Sequence, residues 1–214
     1  PIIYTTGRGS KREQDFFTRQ GYATIHPDYR GHASSSPNPE IHHDFYVGYS
    51  EDVSALVDAL KESKPEYLDV NRIGMWGHSM GGGVTARMMV VRKDVKAFVL
   101  FAPVSGDVED NFYELSPEEI AWLHTTYGSA GAETYKKISP LTYFQDISAP
   151  VQLHHGGADR AVPTSFSKKM YDALKLYGKN VQFFSYPGEP HELMNGWQTA
   201  ANRSLRFFDQ YVKR

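Results

Sequence analysis

Short apolar runs alternate along the chain with segments in which apolar residues recur at helical spacing. The apolar runs predict buried strands, which we place at 2–5, 22–26, 70–76, 95–101, 151–155 and 181–186. The segments with helical spacing predict helices at 11–20, 49–63, 80–92, about 165–177 and about 196–212. Continuous apolar strands that alternate with helices are typical of parallel sheets covered on both faces. We therefore predict an α/β fold with a mostly parallel sheet flanked by helices.

A stretch of about fifty residues between the fourth and fifth predicted strands interrupts this alternation. It contains no apolar run suited to a strand but is rich in aromatic residues, namely Phe112, Tyr113, Trp122, Tyr127, Tyr135, Tyr143 and Phe144. One interpretation is an ordinary helical excursion that packs on the sheet. The other is a small cap-like insert, at about 105–148, whose apolar side chains line a substrate pocket. Because no repeat or linker divides the sequence, we predict a single domain over 1–214.

The composition narrows the class of protein. Hydrophobic residues make up 40% of the chain and charged residues 22%, which is typical of a soluble globular protein. The formal net charge of −2 gives no electrostatic reason to expect a nucleic acid or an anionic membrane as partner. No apolar run approaches the length that spans a bilayer. The lack of cysteine excludes disulfides and a cysteine nucleophile, but it fits a cytoplasmic protein as well as one exported after processing.

Residues 77–81 read Gly-His-Ser-Met-Gly, the G-x-S-x-G pattern that presents a serine nucleophile on a sharp turn between a strand and a helix. The pentapeptide also occurs by chance in glycine-rich chains, so its surroundings matter. Here a predicted strand precedes it and a predicted helix follows it, as the motif requires. The glycines suit a tight turn in which a Cβ would clash. Ser79 is the candidate nucleophile, and the backbone N–H of Met80 is placed to bind a developing oxyanion.

A serine hydroxyl is a poor nucleophile at neutral pH and needs a histidine base oriented by a carboxylate. In α/β enzymes of this kind the chain order is serine, acid, histidine. Asp159 follows the strand predicted at 151–155, and His191 follows the strand predicted at 181–186. Because the carboxyl ends of parallel strands share one edge of a sheet, we expect these two residues to meet Ser79 there.

The histidine pairs at 42–43 and 154–155 raise the question of a metal site. Neighbouring residues on a strand point to opposite faces, so neither pair can readily chelate one ion. No H-E-x-x-H or comparable ligand spacing is present. We therefore expect neither a metal nor another cofactor, and we interpret His78, directly before the nucleophile, as a packing residue.

Four segments together resemble a known family. They are Asp28-Tyr29-Arg30-Gly31-His32, Gly77-His78-Ser79-Met80-Gly81-Gly82, His155-Gly156 with Asp159 and Val162-Pro163, and Tyr186-Pro187-Gly188 before His191. In this order they are similar to the α/β-hydrolase superfamily, and within it to the prolyl oligopeptidase-like branch of serine esterases and peptidases. The resemblance covers nearly the whole chain. It implies that Ser79 is the nucleophile, His191 the general base and then acid, and Asp159 the residue that holds the imidazole.

The sequence departs from this family near its start. Family members often carry His-Gly-x after the first strand, where this chain has Thr6-Gly7-Arg8. The resemblance still implies the backbone N–H of Arg8 as the second oxyanion donor. Family members usually have further strands before the one at 2–5, so the strand at 22–26 is expected to form an exposed edge. We expect either residues upstream of Pro1 in the native protein or a partner subunit, as in a homo-oligomer, to cover that edge.

The resemblance implies a serine hydrolase that forms an acyl-enzyme on Ser79, and we predict small carboxylic esters with short acyl chains as substrates. A peptidase of the prolyl oligopeptidase type is the alternative, with Arg160 as a candidate anchor for a substrate terminus. Such enzymes usually carry a large propeller domain in addition, so this alternative gains weight if the sequence is part of a longer protein. A non-catalytic binding protein on the same scaffold is a third hypothesis. Its usual mark is the loss of triad members, and all three are present here.

Overall fold

The computed structural model describes the backbone of residues 2–6, 11–37 and 45–213, and the side chains in the last two of these ranges. Six strands form one parallel sheet in this part of the chain. They are β1 (Ile2–Thr6), β2 (Ala23–Ile25), β3 (Ile73–His78), β4 (Ala97–Phe101), β5 (Val151–Gly156) and β6 (Val181–Tyr186). Their order across the sheet is β2-β1-β3-β4-β5-β6, and every neighbouring pair runs parallel.

The strand order reverses at β1. From β1 the chain passes to β2 on one side and then to β3 on the other. Where crossovers diverge in this way, the loops at the carboxyl ends of the strands separate and leave a crevice, which is the usual place for a ligand in an open α/β sheet. The strand β3 flanks this crevice, and Ser79 comes directly after it.

Helices cover both faces of the sheet. In the described residues they are α1 (Lys11–Arg19), α2 (Val47–Ser63), α3 (Met80–Val91), α4 (Pro117–Tyr127), α5 (Glu133–Ile138), α6 (Thr164–Leu176) and α7 (Trp197–Tyr211). The helices α2, α3 and α6 pack on one face, and α1 and α7 pack on the other. The stretch between β4 and β5 contains α4, α5 and two 3-10 turns, at Glu109–Glu114 and Pro140–Asp146.

The central strand β4 is apolar throughout because both of its faces are covered. Phe98 and Leu100 pack in the cluster that includes α2, α3 and α6, whereas Val99 and Phe101 pack with α1 and α7. Successive side chains of a strand point to opposite faces, so this alternation follows from strand geometry. All four side chains are at most 3% exposed. The loops at the carboxyl edge of the sheet are therefore attached to a closely packed strand.

The predicted fold class, a parallel sheet flanked by helices, is confirmed. The largest error in a strand boundary is at the strand predicted at 70–76, which begins only at Ile73. Asp69 explains the late start. Its Oδ1 accepts the N–H of Asn71 at 3.0 Å and its carbonyl accepts the N–H of Arg72 at 3.1 Å, so these residues form a turn.

The strand predicted at 22–26 corresponds to β2, which lies at one edge of the described sheet. The single domain and its cap-like insert at about 105–148 stay predictions. The structure shows that the stretch between β4 and β5 contains helices and no strand in the described residues. Among the described helices, none is both long enough and apolar enough to cross a bilayer.

Candidate active site

Ser79 occupies the turn between β3 and α3. Its backbone has φ 56° and ψ −121°, a conformation in which a residue with a Cβ is strained. The N–H of Ser79 donates to the Phe101 carbonyl at 2.9 Å. Its carbonyl accepts the N–H of Gly82 at 2.9 Å and that of Val104 at 3.2 Å. These hydrogen bonds tie the strained turn to the end of β4 and so hold Ser79 at the carboxyl edge of the sheet.

Gly77 allows α3 to start directly against β3. A Cβ at this position would lie 2.2 Å from the Gly81 carbonyl oxygen and 2.3 Å from Thr85 Oγ1, far inside van der Waals contact. The Thr85 hydroxyl donates to that same carbonyl at 2.8 Å. A side chain here would push the helix away from the strand, so the close approach requires glycine.

Asp159 lies in the loop after β5, and its side chain is 0% exposed. Oδ1 accepts the backbone N–H groups of Ala161 and Val162, each at 2.9 Å. Oδ2 lies 2.7 Å from Nδ1 of His191. Burial acts to raise the pKa of this carboxyl, but the hydrogen bonds from Val162, His191 and Ala161 outweigh it and leave the pKa below its ordinary value. The carboxylate is therefore ionised at neutral pH and can hold the N–H of His191.

His191 lies in the loop after β6. Because a carboxylate only accepts hydrogen bonds, its contact with Asp159 places a proton on Nδ1 and leaves Nε2 free to accept one. His78 supplies a second contact, since its Nε2 donates to the His191 carbonyl at 3.0 Å and the two ring centroids lie 4.5 Å apart. Burial and, to a smaller extent, the neighbouring His191 lower the pKa of His78, so this ring is neutral at neutral pH.

His78 directly precedes Ser79, so its contact with His191 brings the candidate nucleophile and the candidate base to the same place. No hydrogen bond joins the Ser79 hydroxyl and the His191 ring in the part of the chain that is described. Catalytic contacts of this kind often become shorter only when a substrate binds. The structure thus gathers Ser79, Asp159 and His191 at one edge of the sheet, and their catalytic roles stay predictions.

Met80 is the first residue of α3. The N–H groups in the first turn of a helix have no acceptor within the helix, and the helix dipole places partial positive charge there. The N–H of Met80 is therefore available, by position, to a negatively charged oxygen beside Ser79. Arg8, the second predicted oxyanion donor, lies outside the described residues, and so does the histidine pair at 42–43.

A cavity of about 290 Å³ lies beside the start of α3. Gly83, whose N–H donates to the Ser79 carbonyl at 3.2 Å, forms part of its wall. The rings of Phe45, Tyr46 and Phe112 form another part. Phe112 belongs to the stretch predicted as a cap-like insert, so that stretch contributes to this cavity, whose described lining includes none of Ser79, Asp159 and His191.

Sequence reasoning missed a contact of His155. Its Nε2 lies 3.1 Å from Oδ2 of Asp159. The sequence places His155 in a segment of the family resemblance and raises the pair as metal ligands, but it does not predict this contact. The two rings point to opposite faces, toward Ser204 of α7 and Ser167 of α6 respectively. The signal that could have found the contact is the short spacing from His155 to Asp159, across a turn that can fold back onto the strand.

A family model for the prolyl oligopeptidase family matches residues 9–214. The chain belongs to this family. The resemblance predicted from the four sequence segments is thereby confirmed, and membership of the prolyl oligopeptidase family places the chain among hydrolases with the α/β-hydrolase fold.

Curated relatives of this prolyl oligopeptidase family member include peptidases. The chain is 26% identical over 182 residues to the uncharacterized peptidase YuxL of Bacillus subtilis strain 168, and the match covers 81% of this chain and 27% of that protein. The chain spans about a quarter of the length of the first curated relatives that it matches.

Solved structures with a similar fold include peptidases and esterases. A puromycin-hydrolyzing peptidase of Mycobacterium tuberculosis has a TM-score of 0.79 at 23% identity, over 99% of this chain and 34% of that one. An esterase of Pyrococcus furiosus has a TM-score of 0.73 at 22% identity, over 99% of this chain and 82% of that one. At these identities the likeness shows the α/β-hydrolase fold of this prolyl oligopeptidase family member and does not choose between the two reactions.

Proposed function

We propose that this chain is a serine hydrolase that acts through Ser79, His191 and Asp159. The observation that carries the proposal is the 2.7 Å hydrogen bond between Nδ1 of His191 and the buried carboxylate of Asp159, formed beside the strained turn of Ser79. This bond selects the imidazole tautomer that a general base needs. Membership of a hydrolase family supports the same conclusion.

The proposed reaction begins when Ser79 Oγ attacks the acyl carbon of a bound substrate and His191 Nε2 takes the hydroxyl proton. Asp159 stabilises the imidazolium that forms. The N–H groups of Met80 and Arg8 bind the developing oxyanion, and one donor of this kind contributes about 3–4 kcal/mol. His191 then protonates the leaving alcohol, and a water molecule activated by the same ring hydrolyses the acyl-enzyme.

Carboxylic esters with short acyl chains are the substrates that we propose. The cavity beside α3, at about 290 Å³, is at the lower end of the size range of ligand sites, which runs from about 300 to 1,000 Å³. Phe45, Tyr46 and Phe112 give it an aromatic wall that suits a small acyl group, and Arg87, Glu114 and Glu119 add charged side chains to the lining. The mechanism requires no cofactor.

Hydrolysis of p-nitrophenyl acetate, butyrate and octanoate by the purified chain tests this proposal. We expect turnover that falls with acyl length and disappears in Ser79→Ala. Ser185→Ala changes an exposed serine on β6 and should keep the parent rate. Equal turnover by the parent chain and Ser79→Ala would overturn the proposal, because Ser79 would then not be the nucleophile.

Hydrolysis of peptide bonds is the second candidate function. It is favoured by the family match and by the relative that is named a peptidase. The same three residues would form the acyl-enzyme, and the leaving group would be an amine instead of an alcohol. Arg160, exposed in the loop of Asp159, is the proposed anchor for the substrate terminus. Cleavage of an aminoacyl p-nitroanilide that is lost in Ser79→Ala would assign the peptidase function, whereas cleavage of the matching ester alone would assign the esterase function.

A fluorophosphonate probe separates both functions from a non-catalytic binding protein. Such a probe reacts only with a serine that a neighbouring base has activated. We expect it to label the folded parent chain at Ser79 and to leave His191→Ala unlabelled. A folded parent chain that stays unlabelled would favour the binding protein.

A further inference from the structure

A second imidazole lies against the carboxylate of Asp159. Nε2 of His155 is 3.1 Å from Asp159 Oδ2, the same oxygen that lies 2.7 Å from Nδ1 of His191. This nitrogen of His155 is also 3.1 Å from the Val162 carbonyl oxygen. One carboxylate oxygen is therefore flanked by two histidines, one on the side of the candidate site and one in the protein interior.

The Val162 carbonyl fixes the tautomer of His155, and Ser167 of α6 contacts the other ring nitrogen. The hydroxyl oxygen of Ser167 lies 2.7 Å from Nδ1 of the ring. Carbonyl and carboxylate oxygens only accept hydrogen bonds, so Nε2 carries the proton of His155 and Nδ1 accepts one from Ser167. The hydrogen bonds thus run in one direction, from Ser167 through His155 to the turn that holds Asp159.

This arrangement lies in the interior. His155, Ser167 and the side chain of Asp159 are each 0% exposed. Burial lowers the pKa of His155 despite the opposing effects of Val162 and Asp159, and the ionisable groups that face the ring are Asp159 and His191. Buried polar groups are costly unless their hydrogen bonds are made, and a completed network holds its members in one arrangement.

The turn after Asp159 is the element that His155 holds in place. Ala161 and Val162 donate to Oδ1 of Asp159, so the turn wraps one side of the carboxylate. His155 contacts the other side, at Oδ2 and at the Val162 carbonyl. A rotation of the carboxylate away from His191 would therefore break its contacts with a ring that is itself fixed.

We propose that His155, oriented by Ser167, is a positioning residue that fixes Asp159 against His191. The inference rests on the proposed function, in which Asp159 holds the catalytic imidazole. His155 acts through Asp159 and does not contact the substrate. Loss of its Nε2–H lets the carboxylate turn away from His191, so kcat falls while substrate binding is unchanged.

The opposite face of the sheet offers a matched control. His154, the preceding residue of β5, is also 0% exposed. One of its nitrogens lies 3.3 Å from the hydroxyl of Ser204 in α7, and the other lies 2.8 Å from the Tyr186 hydroxyl. His154 thus has the same burial and the same kind of serine neighbour, but it points away from the face that carries His155.

Asn and Gln in place of His155 distinguish the contribution of Nδ1 from that of Nε2. The amide nitrogen of Asn reaches about as far as Nδ1, and that of Gln about as far as Nε2. We expect His155→Asn to lower kcat for p-nitrophenyl butyrate by about 10–100-fold at unchanged KM, by analogy with the loss of a partner that orients a metal-ligating histidine or carboxylate. His155→Gln keeps a donor toward Asp159 and should retain most of the activity. The same two substitutions at His154 should leave kcat unchanged.

Two readouts separate positioning from a loss of stability. Ser167→Ala removes only a hydroxyl and should lower kcat several-fold, whereas Ser204→Ala on the opposite face should not. The proton on Nδ1 of His191 gives a downfield NMR signal while a carboxylate holds it. We expect that signal to move upfield in Ser167→Ala and to keep its position in Ser204→Ala. These two variants test the proposal even if His155→Asn fails to fold.

Three outcomes would overturn the inference. Parent-like kcat in both His155→Asn and Ser167→Ala, with Ser79→Ala inactive, would overturn the positioning role and leave the proposed function standing. Equal losses in the His155 and His154 variants would also overturn it, because the loss would then follow burial instead of contact with Asp159. If Ser79→Ala is as active as the parent chain, the proposed function itself is wrong and the inference fails with it.

Discussion

The two oxygens of Asp159 have different tasks. Oδ1 accepts two backbone N–H groups, which fixes the carboxylate in its own loop. Oδ2 accepts the N–H of His191, which fixes the base. An amide at this position would keep the shape of the side chain but would have only one oxygen for these two tasks.

Asp159→Asn tests this division. We expect kcat for ester hydrolysis to fall by about 10⁴-fold, because Nδ1 of His191 loses its acceptor and the ring adopts the tautomer that cannot accept a proton from Ser79. The KM should change little. Asp172→Asn, at an exposed residue of α6 paired with Lys168, is the control and should keep the parent kcat. A fall of less than about tenfold would mean that Asp159 does not select the tautomer.

Asp94 is a charged residue with a structural task. Its carboxylate accepts hydrogen bonds from Arg92 at 2.7 and 2.9 Å and lies 2.6 Å from Nζ of Lys61. Lys61 belongs to α2 and Arg92 follows α3, so the carboxylate joins two neighbouring helices. Partial burial acts to raise the pKa of Asp94, but the hydrogen bonds from Arg92 and Lys61 outweigh it and leave the pKa well below its ordinary value.

Because the pKa of Asp94 is lowered, its contribution to the free energy of unfolding should depend on pH. A carboxyl whose pKa is lower in the folded chain stabilises the fold above its unfolded pKa of about 4, and this stabilisation is lost as the pH falls below that value. We expect Asp94→Asn to lower the free energy of unfolding at neutral pH by about 1–2 kcal/mol. Denaturant titrations should show this difference shrinking in acid. A difference independent of pH would indicate lost packing instead of lost charge.

At the scale of elements, the spacing of apolar residues predicts the six described strands and the five helices that cover the sheet. It does not predict α4 and α5. Each of these helices buries a single side chain, Leu123 in α4 and Tyr135 in α5, which is too few for an apolar stripe to appear in the sequence. The late start of β3 was missed for a different reason, because the turn at Asp69 depends on side-chain hydrogen bonds.

The candidate site was largely predictable because Ser79, Asp159 and His191 each follow a strand that the apolar spacing predicts. Strand order and register then place them at one edge without further information. The contacts of His78 and His155 were not predictable in this way. Both contacts depend on how a loop folds back onto a strand, and the spacing of apolar residues does not predict such tertiary contacts.

Gly77 lies where β3 and α3 approach each other closely. We expect Gly77→Ala to lower the free energy of unfolding by about 2–3 kcal/mol, because its Cβ would meet backbone and side-chain atoms of α3 at little more than 2 Å. Gly178→Ala is the control, since Gly178 has φ +64° but open space around it, and it should cost about 1 kcal/mol from backbone strain alone. Equal losses in the two variants would show that β3 and α3 can separate without penalty.

Over the whole molecule, the strand order determines which parts of the chain can meet. Ser79 follows β3, Asp159 follows β5 and His191 follows β6, while β4 lies between the first two. The candidate site therefore depends on the whole width of the sheet from β3 to β6. A local change that shifts one strand against its neighbours would alter the site even when no site residue is touched.

The positive φ of Ser79 also affects the stability of the whole chain. Strain of this kind costs on the order of 1–3 kcal/mol, whereas glycine adds up to about 1 kcal/mol of entropy to the unfolded chain. We expect Ser79→Gly to be at least as stable as Ser79→Ala, although glycine in place of alanine usually destabilises a protein. Denaturant unfolding of these two variants measures the difference, and a clearly less stable glycine variant would mean that the turn carries no strain.

If glycine is the better residue at position 79 for folding, and Ser79 is the nucleophile that we propose, then folding and activity favour different residues at one site. Selection for stability alone would discard the serine, and selection for activity alone retains it. The presence of serine in this turn therefore indicates that selection for activity has been stronger at this position than selection for stability.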